Sequence, residues 1–372
     1  MQFSEVLGQQ DLKNRLVQGV KNGRVSHAQM WLGNSGYGGL PLALAYCQYL
    51  FCENPGESDS CGSCSSCQKV KKLQHPDLHF AFPVVLSEGD ISDKFYGDWR
   101  TRIFENPYFD LNQWTLTIDE KGRKPIIGNH ESQNILKKLR LTSFEGGYKI
   151  MLIWMAEEMN ETAANKLLKI LEEPPEKTVF LLLVDNADKI LTTIMSRTQL
   201  VKIPQINHTS ISAKLIHDYG LHMSDADSVA FMSDGSWISA YELASSGARN
   251  TDSRDLFVEG FRAAYKKDVI EMMNWANSLA ALSREEQKGF LKYGLHLFRQ
   301  SLLFSYTNEK LTRLSREEMD FVRNFSRFVT GNNFEDLYGL FSQSHYFVDR
   351  NANPKILFTD LIFQVMKLIH LA

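Results

Sequence analysis

The sequence predicts an α/β domain built on a parallel sheet, then a small helical domain and an all-helical C-terminal domain. Three observations carry this. Residues 147–204 alternate apolar runs of strand length with helical periodicity, the pattern of strand–helix units in a parallel sheet. Near the N-terminus, Gly33-Asn34-Ser35-Gly36-Tyr37-Gly38-Gly39-Leu40 is a glycine-rich turn of the kind that joins a strand to a helix. After Pro204 apolar positions recur at helical spacing almost to the end of the chain.

A phosphate-binding loop reads G-x-x-x-x-G-K-[ST]. Its glycines let backbone N–H groups cradle phosphates, its lysine reaches the terminal phosphates and its hydroxyl holds magnesium. Gly33, Gly36 and Gly38 keep the bends, but Gly39 stands where the lysine belongs and Leu40 where the hydroxyl belongs. The stretch predicts the fold of such a loop without its chemistry, and hence no ATP bound by this chain. Taken alone, eight residues also suit an ordinary turn.

All five cysteines fall between residues 47 and 67. Cys52, Cys61, Cys64 and Cys67 follow C-x8-C-x2-C-x2-C through a segment rich in Gly, Ser, Asp and Pro, and four thiolates so spaced close a tetrahedral shell. A structural Zn2+ module over residues 52–67 is expected, with reduced surface thiols as the alternative. Cys47, inside Leu42-Ala43-Leu44-Ala45-Tyr46-Cys47, reads as a buried helix residue.

Ile150 to Met155 is a continuous apolar run, as in a parallel strand covered on both faces. Asn160 caps a helix with apolar positions Ala164, Leu167, Leu168 and Leu171, which Pro174-Pro175 stops. Thr178 to Val184 is a second strand, Ile190 to Arg197 a short helix, and Leu200 to Ile203 a third strand.

Residues 82–129 are rich in aromatics, with Trp99, Tyr108, Phe109 and Trp114 among them, and read as a packed elaboration, a partner surface being the other reading. Lys137, Lys138 and Arg140 follow on a helix with Ile135 and Leu139, either as a solvated face or as a phosphate contact. Amphipathic segments from Leu256 to Leu371 indicate a helical bundle. His296, His345 and His370 lie there among apolar residues and read as satisfied or partly exposed side chains rather than ligands.

With 41 Lys+Arg against 44 Asp+Glu, the net charge of −3 gives no global basic field, which argues against a stand-alone nucleic-acid binder. No uncharged apolar run approaches the 18 residues of a membrane helix and the N-terminus has no signal-peptide pattern, so a soluble, cytoplasmic protein is expected.

Val6-Leu7-Gly8-Gln9, Gly23-Arg24-Val25-Ser26-His27-Ala28, the altered loop, the cysteine module, His75-Pro76-Asp77, Ala164 to Pro175 (A-N-K-L-L-K-I-L-E-E-P-P) and Ser196-Arg197-Thr198 together carry a family resemblance. The sequence resembles the AAA+ subunits of the sliding-clamp loaders of bacterial DNA polymerase III, specifically over about residues 1–245 and weakly beyond. The resemblance implies an AAA+ domain at 1–204, a helical lid at 205–247 and an all-helical collar at 248–372. Active members end one strand with an Asp-Glu pair for magnesium and water; Trp154 and Met155 occupy those places, and Glu157 and Glu158 just beyond are expected to face solvent or a partner. The lid arginine of active members is replaced by Ile238. Arg197 matches the arginine that such subunits lend to a neighbour's ATP, although Thr198 stands where cysteine is usual.

The expected function is thus a non-hydrolysing loader subunit that supplies Arg197 in trans. Its implied partners are an ATP-binding neighbour, the delta subunit, and, through the assembly, the sliding clamp and primer-template DNA, with no membrane. An ATPase acting on its own with unusual residues and a stand-alone zinc-bearing DNA-binding module are the alternatives.

Overall fold

Strands β1 (Ala28–Leu32), β2 (Leu78–Ala81), β3 (Lys149–Ile153), β4 (Thr178–Val184) and β5 (Gln199–Lys202) form one sheet in the order β2-β3-β4-β1-β5. Every pairing is parallel, with Leu152 beside Leu181 and Leu32 between Val184 and Lys202. This computed structural model describes residues 1–245, 249–307 and 316–371. The chain divides into two compact units, residues 1–211 with 235–239, and residues 212–234 with 240–372.

The central strands are mostly apolar because both faces of the sheet are covered, and alternate side chains go to opposite faces. Val179, Leu181 and Leu183 of β4 enter one core with Ile150 and Leu152 of β3 and Trp31 of β1. Phe180, Leu182 and Val184 enter the other with Met151 and Ile153. The first face is covered by α1 (Gln10–Lys21) and α2 (Gly39–Phe51), followed by α3 (Ser65–Lys71), α4 (Tyr96–Glu105) and α5 (Leu111–Ile118). Helix α2 is buried along its whole length, Cys47 included, which explains why its sequence is apolar all round. The second face is covered by α6 (Asn129–Arg140), α7 (Glu161–Glu172) and α8 (Thr192–Met195). Asn160 caps α7 by accepting the Ala163 N–H at 2.8 Å, and Ala164, Leu167 and Leu171 face the sheet.

The aromatic segment 82–129 packs into the first core. Trp99 is fully buried, stacked on Phe82 at 4.2 Å and edge-on to Trp114 and Phe109 at 5.2 and 5.5 Å. Trp154 closes this nest at 5.2 Å from Trp99. The strand expected to reach Met155 stops at Ile153, because Met155 takes a left-handed conformation (φ 52°) that turns the chain. The expected helix 190–197 is the single turn α8. Lys138 is paired with Asp93 at 2.5 Å rather than forming a free basic face with its neighbours.

Beyond the sheet come α9 (His208–Tyr219), α10 (Met223–Met232), α11 (Trp237–Ser245), α12 (Arg249–Lys266), α13 (Val269–Ala281), α14 (Arg284–Thr307), α15 (Arg316–Phe325), α16 (Phe334–Asp349) and α17 (Pro354–Leu368). The second unit is all helical among the described residues. Phe257, Phe290, Phe298, Phe341 and Phe358 fill its core, all fully buried. Asp268 and Asn353 cap α13 and α17 through side-chain oxygens, as their sequence positions require. His296 differs from expectation. It is only 5% exposed, neither ring nitrogen has a hydrogen-bond partner, and burial pushes its pKa down to about 4, so the ring is neutral and packs on Phe231 at 5.5 Å. The α/β class with a helical C-terminal region is the observed one.

Because Trp99 sits at the centre of the aromatic nest, Trp99→Ala is expected to destabilise the first unit by about 3–5 kcal/mol, measured as a lowered urea midpoint followed by far-UV circular dichroism.

Candidate functional site

The glycine-rich turn follows β1 at the carboxyl ends of the strands, where open parallel sheets place their sites. Gly33 N–H donates to the Val184 carbonyl at 3.0 Å, a short 3-10 turn spans Ser35–Tyr37, and Gly38 at φ 84° leads into α2. The shape is that of a phosphate loop, but the N–H groups of residues 35–38 are taken from within. Ser35 donates to Asp185 Oδ2 through its backbone N–H at 3.0 Å and its hydroxyl at 2.6 Å. Gly36 N–H goes to Asn34 Oδ1 at 2.9 Å, and the N–H groups of Tyr37 and Gly38 go to the carbonyls of Asn34 and Ser35.

Neighbouring side chains fill the remaining room. A Cβ at Gly36 would lie 2.0 Å from Ser236 Oγ, and one at Gly39 would lie 2.9 Å from Ile203 Cδ1, so the lysine of a working loop would start against a packed isoleucine. Tyr108 from the aromatic segment stands over Gly38 and accepts the Leu7 N–H at 2.9 Å. Leu40 is buried in the first core. Ile238 is buried, at 8% exposure.

Trp154 and Met155 are buried, at 3% and 4% exposure. Neither can hold a hard cation. Glu157 and Glu158, expected to face solvent or a partner, are instead buried at 8% and 7%. The left-handed turn at Met155 swings a short helix, Ala156–Glu158, back toward the end of β4. There Glu157 Oε1 accepts the N–H groups of Asp185 and Asn186 at 2.8 and 3.1 Å, while Glu158 meets Lys189 at 3.0 Å and Lys124 at 3.6 Å. Burial, with the nearby Asp185, pushes the Glu157 carboxyl up to about 7. Burial also raises Asp185, against the lowering effect of the two Ser35 hydrogen bonds. Asp185 escaped the sequence reading; its signal was an acidic residue immediately after a buried parallel strand.

Arg197 lies two residues past α8 and two before β5, at the amino end of that strand and so at the end of the sheet opposite the glycine-rich turn, with a side chain 32% exposed. Its Nε donates to Glu172 Oε1 at 2.5 Å, Nη2 pairs with the same oxygen, and Nη1 donates to the Thr193 carbonyl at 2.9 Å. Thr198 donates its hydroxyl to the Ile194 carbonyl at 3.1 Å, a local bond that leaves the arginine untouched.

The four module cysteines converge. The sulfurs of Cys52, Cys61, Cys64 and Cys67 lie within 4.8 Å of one another, with Cys61 and Cys67 at 3.9 Å. Four sulfurs at Zn–S ≈ 2.3 Å stand roughly 3.8 Å apart, so the residues fit such an ion. Backbone N–H groups of Cys61, Cys64 and Cys67 point at the sulfurs of Cys52, Cys61 and Cys64 at 3.3–3.4 Å, and those of Cys64 and Ser63 help lower the Cys61 thiol to about 6. All four positions are filled by protein, which leaves no open site for a substrate. The module is tied to the sheet through Ser66, whose hydroxyl reaches Glu53 and Glu145, and Glu145 in turn meets His75 at 3.1 Å.

Residues 8–207 match the protein family described as DNA polymerase III, delta subunit. DNA polymerase III subunit delta' of Bacillus subtilis is 28% identical over 210 residues, 56% of this chain and 52% of that protein. Subunit delta' of Pseudomonas aeruginosa is 28% identical over 250 residues, 66% of this chain and 64% of that protein. Subunit tau/gamma of Haemophilus influenzae is 25% identical over 215 residues, 58% of this chain and 25% of that protein. The chain spans about half the length of the Bacillus relative.

Glu157 sets a pH dependence. Its folded carboxyl takes a proton at about 7 against an ordinary 4.5, so the folded state binds the extra proton between those values and loses stability as pH rises through them. Glu157→Gln, which keeps an oxygen acceptor, is expected to match the parent near pH 4.5 and to exceed it by up to about 3 kcal/mol at pH 8, read from urea midpoints across that range. Metal analysis of protein purified without chelator is expected to find close to one zinc per chain, and Cys67→Ser to abolish it.

Proposed function

The chain belongs to the DNA polymerase III delta-subunit family, and from that premise we propose that it is a non-hydrolysing AAA+ subunit of a sliding-clamp loader that serves an ATP site other than its own. The observation that carries this reading is a contrast between two ends of one sheet edge. The glycine-rich loop has its Ser35 and Gly36 N–H groups engaged by Asp185 and Asn34 and glycine in the lysine position, while Arg197 stays at the surface with part of its hydrogen-bonding capacity unspent.

A guanidinium stays charged at any working pH and matches phosphate oxygens with paired donors. Placed against a neighbour's triphosphate, Arg197 would neutralise charge developing on the transferred phosphate, an effect worth about 10³ to 10⁵ in rate in well-studied switch enzymes. The cysteine module would hold a structural zinc, whose contribution is to cross-link residues 52–67 and anchor them to the sheet. The second, helical unit would act as the collar that joins subunits. The proposed partners are an ATP-binding neighbour, the delta subunit, and, through the assembly, the clamp and primer-template DNA. No described helix is long and apolar enough to cross a membrane, in keeping with the proposed cytoplasmic setting.

Arg197→Ala in the reconstituted complex is expected to slow ATP turnover by about 10²-fold or more while the complex still assembles on size exclusion. Turnover at the parental rate would sink the proposal. Equilibrium dialysis of the isolated chain with ATP and magnesium is expected to show no binding.

A further inference from the structure

A long surface arginine is ordinarily a mobile group, and mobility is a handicap for a side chain that must meet a phosphate in one geometry. Arg197 is not left mobile. A guanidinium carries five N–H donors in a planar fork. Glu172 accepts from Nε and from Nη2, and the Thr193 carbonyl accepts from Nη1. Ser196 Oγ at 3.4 Å from Nη1 adds only a long contact. One donor on Nη2 is left free and one on Nη1 is held only by that long bond, together the number a phosphate takes in a bidentate pair.

The two anchors differ in rigidity. Arg197 follows α8, a single turn, whereas Glu172 is the last residue of the twelve-residue α7, which is capped by Asn160 and packed on the sheet through Ala164, Leu167 and Leu171. Holding the arginine on Glu172 transfers the order of α7 to a side chain that its own element cannot fix.

We propose that Glu172 is the positioning residue for Arg197: it grips one edge of the guanidinium against the end of α7 and so presents the two remaining donors to the phosphate of a neighbouring subunit. This rests on Arg197 acting in trans. Glu172 itself does not touch the phosphate, and its carboxylate stays on the arginine while the arginine works.

The test uses the full reconstituted complex carrying the parent chain, Arg197→Ala, Glu172→Ala, Glu172→Gln or the Arg197→Ala/Glu172→Ala pair, with kcat and KM for ATP measured for each. Glu172→Ala is expected to lower kcat about tenfold with KM changed less than about twofold. Glu172→Gln, whose amide oxygen still accepts from Nε, is expected to recover part of the loss, and Glu172→Ala is expected to add nothing once Arg197 is gone. A Glu172→Ala complex that turns over as fast as the parent or faster, or that loses as much in the Arg197→Ala background, overturns the role of Glu172. If Arg197→Ala alone leaves turnover unchanged, the failure lies with the trans arginine; if it slows turnover and Glu172→Ala does not, the failure lies with Glu172 alone.

Discussion

A carboxylate that accepts two hydrogen bonds from the glycine-rich turn is the interaction on which the candidate site depends. Backbone N–H groups gathered at a tight turn need an acceptor, and leaving them unpaired is costly once water is excluded. In a working loop the nucleotide supplies that acceptor. Here Asp185 does so for Ser35, and Asn34 does so for Gly36. The loop can therefore keep its shape with nothing bound, and α2 and the sheet can keep theirs.

That substitution has electrostatic company. Asp185 in turn donates its backbone N–H to Glu157, whose burial is made possible by the left-handed turn at Met155. Two carboxyls so close in a half-dry setting cannot both be comfortable as anions, which is why burial and mutual repulsion raise Glu157 to about 7. The arrangement resembles the acidic end of an ATP site in composition only. Glu157 Oε1 is spent on two backbone N–H groups, the Glu158 oxygens on lysines and Asp185 Oδ2 on Ser35, while Glu157 Oε2 is buried without a partner.

Much of this was legible from sequence. Strands β3 and β4 announce themselves as unbroken apolar runs, α7 as a capped amphipathic helix stopped by two prolines, and the cysteine spacing as a closed ligand set. The altered loop needed only the identities of Gly39 and Leu40. What was not legible depends on backbone conformation or on contacts distant in sequence. The positive φ at Met155 reverses the direction in which Glu157 and Glu158 point, and no local propensity marks a methionine for that region. Asp185 meets Ser35 across 150 residues, and Glu172 meets Arg197 across 25, so neither pairing has a periodic signature. His296 reads as an ordinary polar residue until the bundle closes over it.

The outermost strand β5 has a further consequence. Among the described residues it pairs only with β1, leaving one line of main-chain groups without a strand partner, and such borders invite a second chain to add itself, the first step toward fibrils. Four residues are too few to template much, and Gln199 and Lys202 at its ends are poor recruits for a dry stack. Brevity and a terminal charge thus guard the sheet against self-adhesion at the border that Arg197 precedes.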